Sequence, residues 1–172
     1  MWRMLLLLCT LEYALCFQPR IIGGQDAYIT DCPYQLPQKI SMSETMKPIT
    51  LASYSSSVNA REKAVVTGWG YVTENGPMSI SLRKLTLPVL DQKECKKIYS
   101  NANITVTDNM ICTDSPNNED ACKGDSGGPL VYNKVQIGIV SWSLGKCTDP
   151  RFPGVYTRVS AVRQWIKEKT QV

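Results

Sequence analysis

The sequence predicts an all-β fold, an antiparallel sandwich or barrel, from residue 64 onward. Short runs rich in β-branched and aromatic residues recur there, and Gly, Pro, Asn and Asp separate them. The chain has 172 residues, which fit one domain, and 43% of them are apolar, enough for a core. The predicted strand-forming runs span residues 64–70, 82–90, 110–113, 129–132, 135–143 and 154–159.

Residues 1–16 have the pattern of a secretory signal peptide. Arg3 supplies a positive charge, and an apolar run leads to the small residues Ala14 and Cys16, where cleavage would occur. A membrane anchor is the alternative, but the run is short and Glu12 interrupts it. We therefore predict a secreted, extracellular protein without a membrane span, in which disulfides can form.

Two further segments differ from the strand pattern. Residues 36–62 are rich in Ser and Thr and weakly patterned, which predicts extended surface chain. Residues 160–169 predict a terminal helix, because Ser160 can cap its start and Val162, Trp165 and Ile166 share one face.

Composition excludes several classes of function. The net charge is +4 and there is no run of Lys or Arg, so we predict no nucleic-acid partner. Of the seven cysteines, Cys9 and Cys16 fall in the predicted signal peptide, and an odd number remains. At least one cysteine therefore has no partner within the chain. Zinc is the rival explanation, but the chain has no His and no CxxC pair, so we predict no metal and no cofactor.

Five motifs follow one another in a characteristic order: RIIGG (20–24), VTGWG (66–70), DACKGDSGGPL (120–130), IVSWS (139–143) and PGVYTRV (153–159), before the terminal helix. Together they resemble the chymotrypsin/trypsin family of serine endopeptidases. The resemblance covers residues 21–35 and about 64–172, and it implies a trypsin-like antiparallel β-barrel fold with its second barrel over about 64–172.

The resemblance implies roles for a cluster of residues around the GDSGG motif. Ser126 matches the nucleophile, and the backbone N–H groups of Gly124 and Ser126 match the oxyanion hole. Asp120 matches the base of a specificity pocket, where a carboxylate pairs with Arg or Lys of a peptide or protein substrate or inhibitor. Residues of the last two motifs match the walls of this pocket, namely Ser141, Trp142, Ser143 and Gly154.

The same resemblance implies zymogen processing. Residues 17–20 would be a short propeptide, and cleavage between Arg20 and Ile21 would begin the protease domain 21–172. Asp125 would then bind the new ammonium group of Ile21, as a buried ion pair that acts as a switch.

The cysteines also match the family. The resemblance implies two bridges, Cys95 with Cys112 and Cys122 with Cys147, and leaves Cys32 without an obvious partner. Cys32 could join two copies of the chain. Independently, Asn103-Ile104-Thr105 is a sequon for N-glycosylation in a secreted chain.

One part of the family pattern is missing. The triad comes in the order His, Asp, Ser, but this chain has no His, and Gln35 runs directly into a segment that normally follows the triad Asp. Most of the first barrel is therefore expected to be absent, which would expose apolar surface and promote self-association.

We predict a trypsin-like chain that is catalytically impaired. Three alternatives stay open: an active Arg/Lys-specific endopeptidase, at least as a longer product of the same locus; a disulfide-stabilised binding module; and a Ser–Lys pair that uses Lys123 as the base.

Overall fold

A computed structural model of the chain describes residues 25–26, 28 and 47–171. Two helices and eight strands occur in this part. They follow the chain in the order β1 (Gln25–Asp26), β2 (Thr50–Leu51), β3 (Lys63–Gly68), β4 (Arg83–Pro88), α1 (Gln92–Ser100), β5 (Met110–Thr113), β6 (Pro129–Tyr132), β7 (Val135–Trp142), β8 (Gly154–Arg158) and α2 (Val159–Thr170).

The strands form one sheet that closes into a barrel. Its order is β1-β4-β3-β6-β7-β8-β5, every neighbouring pair in this order is antiparallel, and β2 pairs in parallel with β7. A bridge between Val89 and Thr113 joins β4 to β5, and the amide of Leu90 donates to the carbonyl oxygen of Cys112 at 2.9 Å. The predicted antiparallel β-barrel with a C-terminal helix is therefore confirmed.

Alternating side chains fill the barrel. Ala64 and Val66 of β3, and Leu85 and Leu87 of β4, point inward because successive side chains of a strand face opposite sides. Every strand-forming run predicted from the sequence overlaps one of the strands β3 to β8, and β3 begins one residue before its predicted run. The main core contains Ala52, Ala64, Val66, Leu85, Leu87, Val89, Ile111, Leu130, Ile137, Tyr156 and Val159.

Helix α1 was not identified from the sequence. Asp91 caps it, since its carboxylate accepts hydrogen bonds from the amides of Lys93 at 2.9 Å and Glu94 at 3.1 Å. Cys95 and Tyr99, one turn apart, are its buried residues. Only two residues of this helix reach the core. The sequence therefore contains no long apolar stripe from which the helix could have been predicted.

The prediction of surface chain over residues 36–62 is wrong for Thr50 to Ala52. Thr50 and Leu51 pair with Val135 and Gln136, and the amide of Ala52 donates to the carbonyl oxygen of Gln136 at 3.0 Å. Ala52 is buried in the core. Local composition did not reveal this strand because it depends on a partner more than eighty residues away in the chain. Residues 36–46 lie outside the described part.

The terminal helix is confirmed, but its start differs from the prediction. It begins at Val159 after Arg158, and Ser160 lies buried inside the first turn instead of capping it. Trp165 is 61% exposed, whereas Ile166 packs against the main core. The predicted apolar face therefore packs on the core through Ile166 but not through Trp165. No helix in residues 47–171 is long and apolar enough to span a bilayer.

Candidate active site

Ser126 lies exposed on a tight turn that enters β6. Backbone hydrogen bonds of 2.9 Å fix this turn: the amide of Asp125 donates to Cys122, that of Gly128 to Asp125, and that of Gly127 to Val140 of β7. The serine hydroxyl is therefore presented to solvent by a backbone that is fastened to the barrel.

Two amides on the same turn remain available to a ligand. Within the described residues, neither the N–H of Gly124 nor the N–H of Ser126 donates a hydrogen bond. Gly124 has a φ of +94°, a conformation that side-chain-bearing residues rarely adopt. Free backbone donors beside a serine hydroxyl are the arrangement that stabilises a developing oxyanion.

Asp125 points away from solvent and holds the turn from inside. It is 2% exposed, and its carboxylate accepts from the amides of Gly70 at 2.6 Å and Cys122 at 3.0 Å. The carboxylate packs directly on Gly68 and Gly70 of the VTGWG motif. These contacts connect two of the sequence motifs. Arg20 and Ile21, predicted to take part in activation with Asp125, lie outside the described residues.

A cavity of about 200 Å³ opens beside Ser126. Asp120 lies in it and is only 2% exposed, with one carboxylate oxygen accepting from the amide of Ala121 at 2.7 Å. The structure thus brings together all the residues predicted for the nucleophile and the pocket walls. The lining includes Asp120, Ser126, Ser141, Trp142, Ser143 and Gly154.

Gly154 keeps the space beside the carboxylate open. A Cβ at this position would lie 2.8 Å and 2.9 Å from the two carboxylate oxygens of Asp120. A side chain here would therefore displace the carboxylate or fill the pocket. Ser143, another lining residue, adds only a hydroxymethyl group to the wall.

Burial raises the pKa of Asp120 from 3.8 to about 7. The hydrogen bond from the Ala121 amide lowers this pKa in part, and the negative charge of Asp125 raises it. The buried carboxylate is therefore poorly solvated. A cation in the cavity would stabilise the negative charge of Asp120 in place of water, and would therefore favour the ionised carboxylate.

An aromatic cluster that the sequence did not predict supports the pocket wall. Trp142 packs edge-on against Tyr99 of α1, with ring centroids 4.9 Å apart, and Tyr99 also contacts Phe152. Burial raises the pKa of Tyr99 to about 12, and its hydroxyl donates to the carbonyl oxygen of Pro153 at 2.5 Å. The spacing of Tyr99 four residues after Cys95 was the available signal, since it places both on one helical face.

The two implied disulfides are present. Cys95–Cys112 joins α1 to β5, and Cys122–Cys147 joins the serine-bearing turn to another segment that lines the cavity. Cys32 lies outside the described residues.

The chain offers no imidazole as a base for Ser126. There is no histidine in the sequence. Lys123, which lines the cavity with Ser126, is the nearest basic residue in the sequence. Among residues 47–171, no group of three or more His, Cys, Asp or Glu side chains is arranged to hold a metal ion.

Comparison with known proteins agrees with this geometry. The family model described as Trypsin matches residues 21–166. The chain is 40% identical to a vitellin-degrading protease of Bombyx mori over 77% of its own length and 50% of the relative's. It is 38% identical to trypsin 5G1 of Aedes aegypti, over 78% of the chain and 50% of that protein. The chain thus spans about half the length of the curated relatives it matches.

A solved structure gives the same result. Neuropsin, a serine protease expressed in the limbic system of mouse brain, superposes with a TM-score of 0.69 at 31% identity. The match covers 78% of this chain and 59% of neuropsin. With its barrel, its serine-bearing turn and these relatives, the chain belongs to the trypsin family of serine proteases.

Proposed function

We propose that this chain is a secreted trypsin-like protease that binds Arg or Lys side chains but hydrolyses peptides poorly. The observation that carries the proposal is a buried carboxylate, Asp120, in a cavity beside Ser126, in a chain without histidine. The cavity provides recognition, and the missing imidazole limits the chemistry.

Recognition follows from charge and shape. A guanidinium or ammonium group that enters the cavity would meet the carboxylate of Asp120 in a site with little water, where a charge-assisted hydrogen bond is strong. The peptide ligands or inhibitors of this chain would therefore carry Arg or Lys at the position that enters the pocket.

Hydrolysis requires more than recognition. A serine hydroxyl attacks a carbonyl well only when a neighbouring base accepts its proton. In this family, loss of triad members leaves about 10³–10⁴-fold acceleration over water, which comes from the oxyanion hole and substrate binding. We assign the oxyanion-stabilising role to the amides of Gly124 and Ser126, and expect only this residual activity.

Processing is part of the same proposal. Residues 1–16 would direct the chain into the secretory pathway, and cleavage after Arg20 would remove residues 17–20. The new ammonium group of Ile21 would then reach Asp125, whose carboxylate already anchors the serine-bearing turn.

Two measurements on the chain beginning at Ile21 test this proposal. One is hydrolysis of a peptide substrate ending in Arg, beside Ser126→Ala. The other is binding of benzamidine, a small amidinium cation, beside Asp120→Asn. We expect benzamidine to bind and the Asp120→Asn variant to lose this binding at least tenfold, while hydrolysis stays no faster than in Ser126→Ala.

The same measurements separate the alternatives. Turnover that disappears in Ser126→Ala would contradict impairment, and Lys123→Ala would then show whether Lys123 is the base. Absence of benzamidine binding would favour a module without peptide recognition. Because the chain spans half the length of its relatives, a longer product containing a histidine is the second candidate, and it is expected to cleave after Arg or Lys.

A further inference from the structure

The turn that follows α1 carries a sequence motif that has no role in the proposed protease function. Asn103-Ile104-Thr105 is the one Asn-X-Ser/Thr sequence in the 172 residues. We propose that Asn103 is a modification site that carries an N-linked oligosaccharide. The proposal rests on the secretory entry suggested above, and is independent of the pocket and of Ser126.

The backbone of the turn is well fixed and presents Asn103 outward. The amides of Ala102 and Ile104 both donate to the carbonyl oxygen of Tyr99 at 3.0 Å, and the amide of Asn103 donates to Ser100 at 3.0 Å. Asn103 has a φ of +58°, in the left-handed region that asparagine tolerates better than most residues. The turn thus depends on its backbone and does not need the Asn103 side chain.

The side chains that the modification requires are accessible. Asn103 and Thr105 are exposed, and within the described residues the Asn103 carboxamide makes no hydrogen bond. Ile104 between them is half-buried against the cluster that contains Tyr99, and Val106 is buried. Apolar residues therefore fasten the segment to the barrel, while the acceptor amide and the hydroxyl face solvent. A bulky hydrophilic glycan could stay in water without disturbing the core.

The chemistry is a transfer of one glycosyl group. The donor is an oligosaccharide linked to a lipid through a pyrophosphate. The Asn103 Nδ2 atom forms a bond to C1 of the first sugar, and the bond from C1 to the pyrophosphate oxygen breaks. The pyrophosphate leaves with the electron pair, and the amide nitrogen loses one proton. The transferase supplies the catalyst, so this chain needs to offer only the acceptor.

Translation of the full chain with microsomes, followed by treatment with peptide-N-glycosidase, tests the proposal. A second form carries residues 17–172 behind the signal peptide of a known secreted protein, so that translocation does not depend on residues 1–16. Protection from added protease reports translocation, and a mobility shift that the glycosidase reverses reports the glycan. We expect one shifted species, from the translocated chain only.

Matched variants locate the glycan. Asn103→Gln and Thr105→Ala should abolish the shift completely, whereas Thr105→Ser should retain it. Asn101→Gln changes an exposed asparagine two residues away, outside the sequon, and should leave the shift unchanged.

The assignment would be overturned if the second form is translocated and protected from protease but shows no mobility shift. A shift that survives Asn103→Gln would overturn it as well. If only the second form is translocated and shifted, the result supports the glycan and contradicts the prediction that residues 1–16 are a signal peptide. Benzamidine binding is measured separately, on the chain beginning at Ile21, so the glycan and the proposed protease function are judged independently.

Discussion

Two buried carboxylates, Asp120 and Asp125, lie five residues apart and have different surroundings. Each is 2% exposed. Asp125 accepts hydrogen bonds from the amides of Gly70 and Cys122, which belong to separate segments, so it ties the serine-bearing turn to the barrel. Asp120 accepts from the amide of its neighbour Ala121 and lines the cavity. One carboxylate therefore stabilises the serine-bearing turn, and the other lines the cavity beside Ser126.

The raised pKa of Asp120 predicts that its carboxylate costs stability at alkaline pH. In the unfolded chain the group ionises near 3.8, and in the folded chain near 7. Between these values the folded state binds more protons, so the contribution of Asp120 to stability falls as pH rises through this window. Asp120→Asn should therefore raise the free energy of unfolding at pH 8 by about 1–4 kcal/mol, and change it little at pH 4.

Urea unfolding at the two pH values measures this effect. Asp114→Asn, which alters an exposed carboxylate of the same loop, is the control and should change neither value appreciably. A loss of stability at pH 8 in Asp120→Asn would mean that the buried carboxylate is well solvated or paired, against the cause assigned to its pKa.

At the scale of elements, α1 supports the wall of the cavity, whereas α2 covers one side of the barrel. The C-terminal half of α1 brings Tyr99 against Trp142 in the pocket wall. Helix α2 follows β8 directly and lies against β7 and β2, with Ile166 on the core and Trp165 in solvent. Adjacent residues of α2 thus have opposite environments, as expected for a helix that covers one side of a barrel.

This contrast predicts different costs for two neighbouring substitutions. Ile166→Ala removes apolar volume from the core boundary and should lower the free energy of unfolding by about 1–3 kcal/mol. Trp165→Ala removes a larger side chain that is 61% exposed, and should change stability by less than about 1 kcal/mol. Thermal unfolding of the two variants compares them directly. An equal or larger loss in Trp165→Ala would show that this side chain packs on another surface.

At the scale of the molecule, the barrel closes on itself and the two disulfides reinforce it. Closure comes from the Val89–Thr113 bridge, and the Cys95–Cys112 bond lies next to it with both cysteines fully buried. Both cysteines of the Cys122–Cys147 bond instead line the cavity. One disulfide thus secures the barrel, and the other secures the site.

The two disulfides should contribute similar amounts to stability, but they should differ in their effect on benzamidine binding. The closed loops of 17 and 25 residues correspond to about 3 kcal/mol each. We expect Cys95→Ala with Cys112→Ala, and Cys122→Ala with Cys147→Ala, to lower the urea midpoint comparably. Only the second pair should weaken benzamidine binding at temperatures where both variants are folded. Equal loss of binding in both would indicate that the barrel alone shapes the cavity.

The sequence by itself determined the strands from β3 to β8 and the terminal helix, because apolar alternation and turn residues are local signals. Its motifs placed Ser126, Asp120 and Gly154 in one site by resemblance, and the absence of histidine was visible without any structure.

Only the tertiary structure revealed β2, α1 as a support, and the packing of Tyr99 on Trp142. The tertiary structure also determines the burial that raises the pKa of Asp120, and the opposite environments of Trp165 and Ile166. The physical reason is that pairing, burial and desolvation depend on residues far apart in the chain, which a local pattern does not contain.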